Sequence, residues 1–158
     1  MNTGWIIRKQ DGSAAVEFAV ILPLFLLIVF GIVEWGLYLF NDHIITDASR
    51  RGARRGILQA SPHISESEIR TTVLTYTGDR LVTFGTMTPP AVDVNVYNPD
   101  GTVAHNPDGT VAKNCLVFQD SLEVTASYNY TFLLLPALTF GGVSPSISMT
   151  ARTVMKCE

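Results

Sequence analysis

Residues 14–40 read AAVEFAVILPLFLLIVFGIVEWGLYLF. Within them, positions 18–33 form a run of 16 residues without Asp, Glu, Lys or Arg. At about 1.5 Å per residue, a helix over 14–40 is about 40 Å long, enough to cross a hydrocarbon layer of about 30 Å. One membrane-spanning helix is the first expectation. A buried helix of a soluble protein rarely carries so many consecutive Leu, Ile, Val and Phe residues. A cleaved secretory signal has an apolar core of about 7–15 residues followed by small residues at the cut. Here the bulky WGLYLFNDHII follows instead, so the anchor is expected to stay attached.

One carboxylate, Glu17, interrupts the apolar stretch near its start. A charge at the centre of a bilayer costs about 2.5–3.5 kcal/mol, so an acid there calls for a partner. Glu17 and Glu34 would lie about 25 Å apart along the helix axis, one near each face of the bilayer. Ahead of Glu17 stand Arg8, Lys9, Asp11 and Gly12, a short polar leader. Cutting the chain between Gly12 and Ser13 would create an ammonium group four residues from Glu17. In a bundle of such helices, the ammonium of one chain could meet the carboxylate of its neighbour with a fixed axial stagger. The low dielectric strengthens that attraction, and an unpaired Glu17 would favour protonation or exclusion. The pair would therefore select register as well as partner.

The run Gly12, Ser13, Ala14, Ala15, Val16, Glu17, Phe18 resembles the processing motif of type IV pilin-like proteins. That motif has Gly before the cut, Glu at the fifth mature position and an aromatic residue at the sixth. The Glu17–Phe18 pair after a short leader is similar to the tight-adherence (Tad/Flp) branch. Further along, Ala48, Ser49, Arg50, Arg51, Gly52, Ala53 and Arg54 resemble a segment of TadE-like pseudopilins. LEVTASY at 122–128 and MTART at 149–153 look like that family's last strands. Arg51 departs from the pattern, standing where family members often carry Glu. The resemblance implies a minor pilin-like subunit cut by a prepilin peptidase, with Gly12 and Ser13 as the scissile pair. It also implies Glu17 and Phe18 as inter-subunit registry residues, and a role in pilus assembly, initiation or cell adhesion.

Beyond the anchor, the helical pattern continues, with Ile44, Ile45, Ala48 and Gly52 on one face. Asp47, Arg50, Arg51, Arg54 and Arg55 occupy the other. This basic stripe reads either as a solvated face or as a docking surface for acidic subunits or anionic headgroups. Gly52 and Gly56 are poor helix formers and are expected to serve close packing. Ser61 and Pro62 are expected to end this helix, and Ser65 with Glu68 forms a capping box for a second one ending near Thr77 and Gly78.

Val92, Val94 and Val96 then alternate with Asp93, Asn95 and Tyr97, as in a strand. Two copies of NPDGTVA follow at 98–104 and 106–112. Each Asn-Pro-Asp-Gly is expected to form a type I turn, and the pair a meander with a very short middle strand. A calcium site at Asp100 and Asp108 would lack the spaced acids and closing Glu of such loops. Further strands are expected at 115–118, 122–131 and 146–155. The apolar run 132–140 is expected to plug the core or the gap to the helix, or else to contact another subunit or the membrane surface.

The 158 residues carry a net charge of −3, which leaves no electrostatic footprint for nucleic acid. Cys115 and Cys157, 42 residues apart, read as a disulfide tying the C-terminus to the sheet, with free buried thiols as the alternative. The bond would be worth about 4 kcal/mol in the chain-entropy model. His43, His63 and His105 are isolated, and no zinc, thiol-redox or phosphate-loop motif is present. GVSPS at 142–146 lacks the final Gly of a nucleophile elbow. No enzyme, metal or cofactor is expected.

These readings converge on an α+β, pilin-like chain: a long N-terminal membrane-spanning helix packed in its distal half on a small antiparallel sheet, with a second short helix. The expected division is a leader at 1–12, a membrane segment at 13–40 and an extracytoplasmic domain at 41–158. Expected partners are other pilin-like subunits, the prepilin peptidase, an inner-membrane assembly platform and lipid. Counting Lys and Arg favours the opposite orientation, but large domains translocate despite charge, and the processing motif places the C-terminal domain outside the cytoplasm. The alternative is a stand-alone single-pass envelope protein whose outer domain binds a ligand or performs hydrolysis.

Overall fold

The computed structural model describes residues 11–58, 63–83, 88–132 and 146–157. Helix α1 runs over Asp11–Gly56, 46 residues and about 69 Å at the usual rise. Pro23 lies inside it without ending it. Residues 12–33 are exposed throughout except for half-buried Leu22 and Gly31. From Glu34 onward one face is covered: Glu34, Asn41, Ile44, Ile45, Ala48, Ser49 and Ala53 are buried. Packing against the head thus starts at Glu34, inside the segment 13–40 expected to span the membrane.

Helix α2 covers Glu66–Gly78. Its capping box is complete: Ser65 Oγ accepts from the Glu68 amide at 3.4 Å, and the Ser65 amide donates to Glu68 Oε2 at 3.0 Å. Its buried side chains, Ile69, Val73 and Thr77, repeat every four residues and face α1. The strands are β1 (Ala91–Tyr97), β2 (Ser121–Thr131) and β3 (Ser146–Lys156), antiparallel in the order β1-β2-β3. Val94 pairs with Val124 and Val124 with Thr153, so the even residues of β1 and β2 share the face turned to the helices. This is the expected α+β arrangement: a long apolar helix, a short helix and a three-stranded antiparallel sheet.

The helices approach the sheet closely because two turns of α1 lack side chains. A Cβ added at Gly52 would stand 2.6 Å from Val73 Cγ2, and one at Gly56 would stand 2.7 Å from Ile69 Cδ1 and press on Leu122. Ile69, Val73 and Leu122 are themselves fully buried, so they have little room to yield.

Two expectations are corrected. Helix α1 ends at Gly56, with Ile57 in a last turn whose amide bonds Ala53 O at 3.1 Å. Ser61 and Pro62 lie outside the described residues. Residues 115–118 form no strand. Cys115 is bonded to Cys157, and the Gln119 amide donates to Cys157 O at 3.3 Å, so the segment leaves the sheet to clasp the end of β3. Gln119 adopts a positive φ of 74° as the chain returns to β2. Of the apolar run 132–140, Phe132 is buried against Tyr38 and Tyr130, and the rest lies outside the described residues.

Gly56→Ala should destabilise the head. The overpacking cost of about 1–3 kcal/mol outweighs the gain of about 1 kcal/mol in helix propensity. Thermal unfolding of the full chain in detergent micelles measures it, with Gly36→Ala as the control, since a Cβ at Gly36 meets nothing within 4 Å. A midpoint unchanged or raised by Gly56→Ala would show that the close approach is not a constraint.

Candidate functional site

The N-terminal third of α1 presents Gly12, Ser13, Glu17 and Phe18 as exposed residues. Glu17 has no ion pair or hydrogen bond among the described residues. Phe18 is 63% exposed on the same turn. Over this segment the helix reaches a mean hydropathy of 2.8 across an 18-residue window, long and apolar enough to cross a membrane.

The four arginines of the basic stripe differ in their contacts. Arg51 and Arg55 turn towards α2. The Arg51 guanidinium lies 4.2 Å from the Tyr76 ring centre and 3.7 Å from Asp47, whose carboxylate also accepts from Tyr76 Oη at 3.0 Å. Arg55 stands 4.0 Å from Glu68. Arg80 covers Tyr76 at 4.3 Å, so that ring carries a cation contact from each helix end. Arg50 and Arg54 remain, with no ion pair or hydrogen bond among the described residues. With Asp47 and Arg51 they line a shallow surface groove of about 340 Å³.

Where the helix leaves its bare segment, a cluster absent from the sequence reading appears. Tyr38 packs on Tyr130 and Phe132 at ring separations of 6.0 and 6.4 Å, with Trp35 edge-on to Tyr38 at 5.4 Å. Glu34 is buried beside this cluster, and burial first, then the Glu34 charge, pushes the Tyr130 phenol up. Asn41 is fully buried and holds both polar atoms of Val82, donating to its carbonyl at 2.6 Å and accepting from its amide at 2.9 Å. The spacing Glu34, Tyr38, Asn41, Ile45, Ala48 follows a helical face, and that period was the available signal.

At the far end, Cys115 and Cys157 are bonded with Cα atoms 5.7 Å apart. The bond pins a loop whose Val117 and Phe118 are 60% and 68% exposed. The two NPDGT turns stack as a small ladder: the Ala104 amide donates to Val96 O at 2.8 Å and the Ala112 amide to Ala104 O at 2.9 Å. Where a short middle strand is expected there are only isolated bridges, at Tyr97–Val103 and His105–Val111. Gly101 and Gly109, at φ of 86° and 82°, close the turns. Asp100 Oδ1 accepts from Thr102 Oγ1 at 2.7 Å and from its amide at 2.9 Å, and Asp108 repeats this with Thr110. These carboxylates are therefore committed to their own turns. Among the described residues no group of three or more His, Cys, Asp or Glu side chains could hold a metal ion.

Bare apolar helix, lone exposed acid and helix-backed sheet together define a class: small α+β proteins presented on a single helix able to span a bilayer. Within that class, residues 12–54 match the model of the family described as TadE-like protein, consistent with a TadE-like protein of the Tad pilus system. The match covers the bare segment, Glu17 and the Arg stripe as far as Arg54, and it stops before α2. That family is associated with pili and is not an enzyme family. No curated protein and no solved structure matches the chain.

The Thr102 and Thr110 hydroxyls, ahead of their amides, hold the Asp100 and Asp108 carboxyls below the ordinary value of 3.8. A group depressed in the folded state contributes order that is present above its unfolded value and is lost as pH falls through the folded one. The protection of the Thr102 and Thr110 amides against exchange, taken relative to the intrinsic rate at each pH, should therefore hold down to about pH 4 and fall below it. Protection that is unchanged below the folded value would show that the carboxylates do not hold the turns.

Proposed function

We propose that this chain is a minor pilin-like (pseudopilin) subunit of a Tad/Flp-type pilus, acting in assembly, initiation or adhesion. A prepilin peptidase removes residues 1–12, and Ser13 becomes the mature amino terminus. The bare part of α1 lies in the inner membrane and then enters a helical bundle with other pilin-like subunits on an assembly platform. The head, backed by the distal half of α1, stands outside the cytoplasm.

One observation carries this reading. The TadE-like match begins at the scissile pair, and four residues on it contains an exposed carboxylate that no described residue of its own chain satisfies. A carboxylate in that position is stabilised by a cation supplied by a neighbour, and cleavage after Gly12 supplies one. The reading is further supported by the exposure of residues 12–33, all but half-buried Leu22 and Gly31, a length of helix available to lipid and to other helices.

Intact mass of protein extracted from membranes of a host with an active prepilin peptidase should correspond to a chain starting at Ser13. Material still beginning at Met1 would contradict the processing. Glu17→Ala should leave insertion unchanged and abolish co-purification with pilin-like partners. Undiminished co-purification would remove Glu17 from the assembly.

A further inference from the structure

The outer side of α1 stays apolar past the point where packing begins. Glu34 and Asn41 are buried under the sheet, yet Trp35, Leu39 and Phe40 on the same two turns are exposed. Between Glu34 and Asp42 the helix carries no Asp, Glu, Lys or Arg. The sheet repeats this pattern. Positions 124–151 contain no Asp, Glu, Lys, Arg or His, so the ends of β2 and β3 that pair at Thr131 and Ser146 are free of charge. The charged residues of the strands, Asp93, Glu123, Arg152 and Lys156, all lie in the other half. From Thr131 back to Thr125, the partner of Arg152, is about 20 Å of strand. A surface facing water ordinarily spreads Lys, Glu, Asp and Arg over its exposed positions, and this end of the head has none.

That end lies level with the bilayer surface when the bare part of α1 crosses the membrane. A hydrocarbon layer of about 30 Å takes about 20 residues of helix. With Ser13 at one boundary, the other falls at Val33. With Glu17 drawn to the boundary by its charge, it falls at Leu37. Trp35 is within about 3 Å of the boundary in either placement, and Tyr38 stands about 2–8 Å outside it. The polar layer of headgroups is about 5–7 Å deep. Strand β2 reaches down to this level, since Tyr130 and Phe132 pack on Tyr38 at 6.0 and 6.4 Å. Ile147, exposed, pairs with Tyr130. Trp and Tyr gather at this depth because each joins an apolar ring to a polar edge. The first charge outward on α1, Asp42, comes about 8–14 Å beyond the boundary.

We infer that the near end of the head is seated in the headgroup layer of a lipid bilayer, with Trp35, Leu39, Phe40 and Ile147 as the side chains that enter it. The inference rests on the membrane placement of α1 proposed above and adds a second lipid contact, made by the sheet. Leu39 and Phe40 lie on the opposite side of α1 from the sheet, so only an occupant that surrounds the helix covers them and Ile147 together. Lipid does so, in continuity with the bare segment, whereas another helix would cover one side. Contacts on both sides of α1 hold the head at one height over the bilayer.

Quenching by depth tests this. The chain has two tryptophans, Trp5 and Trp35, so the full chain with Trp5→Phe carries Trp35 alone. It is reconstituted in phosphatidylcholine vesicles whose acyl chains are brominated either next to the glycerol or near the chain end. Bromine next to the glycerol should quench Trp35 about twofold more strongly. In a chain with both tryptophans replaced by Phe, Ile147→Trp should also be quenched by bromine next to the glycerol. Ser146→Trp, at the same end of β3, should behave alike and guards against a misfolded Ile147→Trp. Val154→Trp, exposed about 23 Å further along β3, should not be quenched. Phe25→Trp, in mid-span, should be quenched most by bromine near the chain end.

Quenching of Ile147→Trp and Ser146→Trp no stronger than that of Val154→Trp overturns the inference. If Phe25→Trp is quenched in that experiment, the span stands and only the seat falls. If it is not, the placement of α1 falls and takes the seat with it. Trp35 emission that is shifted to the blue yet untouched by bromine also overturns the inference. It assigns the cover to residues 133–145 of the same chain or, where dilution with lipid reverses the shift, to a second copy.

Discussion

The bare apolar length of α1 is the constraint from which the rest follows. Residues 12–33 expose Val, Ile, Leu and Phe side chains, while from Glu34 onward the same helix buries one face in a sheet. A helix apolar all round is stable in lipid or among other helices, and a helix apolar on one side is stable against a core. The change from one regime to the other takes the two turns from Glu34 to Asn41, where a buried acid, an aromatic cluster and Asn41 cover one face while Trp35, Leu39 and Phe40 stay exposed.

The head is built around that helix. With only three strands, the sheet has one face to bury, and α1 and α2 together cover it. The glycines at 52 and 56 let the α1 backbone come close to Val73, Ile69 and Leu122, removing apolar area that a larger residue would hold apart. Asn41 ties the loop after α2 back to α1, and the Cys115–Cys157 bond ties the loop before β2 to the end of β3. The membrane-near and far ends of the head are thus each closed by a contact between segments more than 40 residues apart in sequence.

In the proposed subunit, electrostatics divides the labour along α1. Glu17 lies in a medium where an unmatched charge is costly, so it acts through pairing and sets an axial offset. Arg51 and Arg55 are spent on α2, holding the two helices together through Tyr76, Asp47 and Glu68. Arg50 and Arg54 face outward with no ion pair among the described residues.

Much of this was written locally in the chain. The bare helix, the Ser65–Glu68 capping box, the alternation in β1 and the two Asn-Pro-Asp-Gly turns each follow from a short pattern with a fixed period or a turn chemistry, and those patterns act over a few residues. The tertiary structure alone decided the burial of Glu34, the pairing of Asn41 with Val82, the departure of 115–118 from the sheet and the split of the arginines between α2 and solvent. Residues 115–118 have the composition of a strand, yet a covalent bond to Cys157 holds them elsewhere. Each of these outcomes depends on which distant backbone arrives opposite a given side chain, and no local period encodes that.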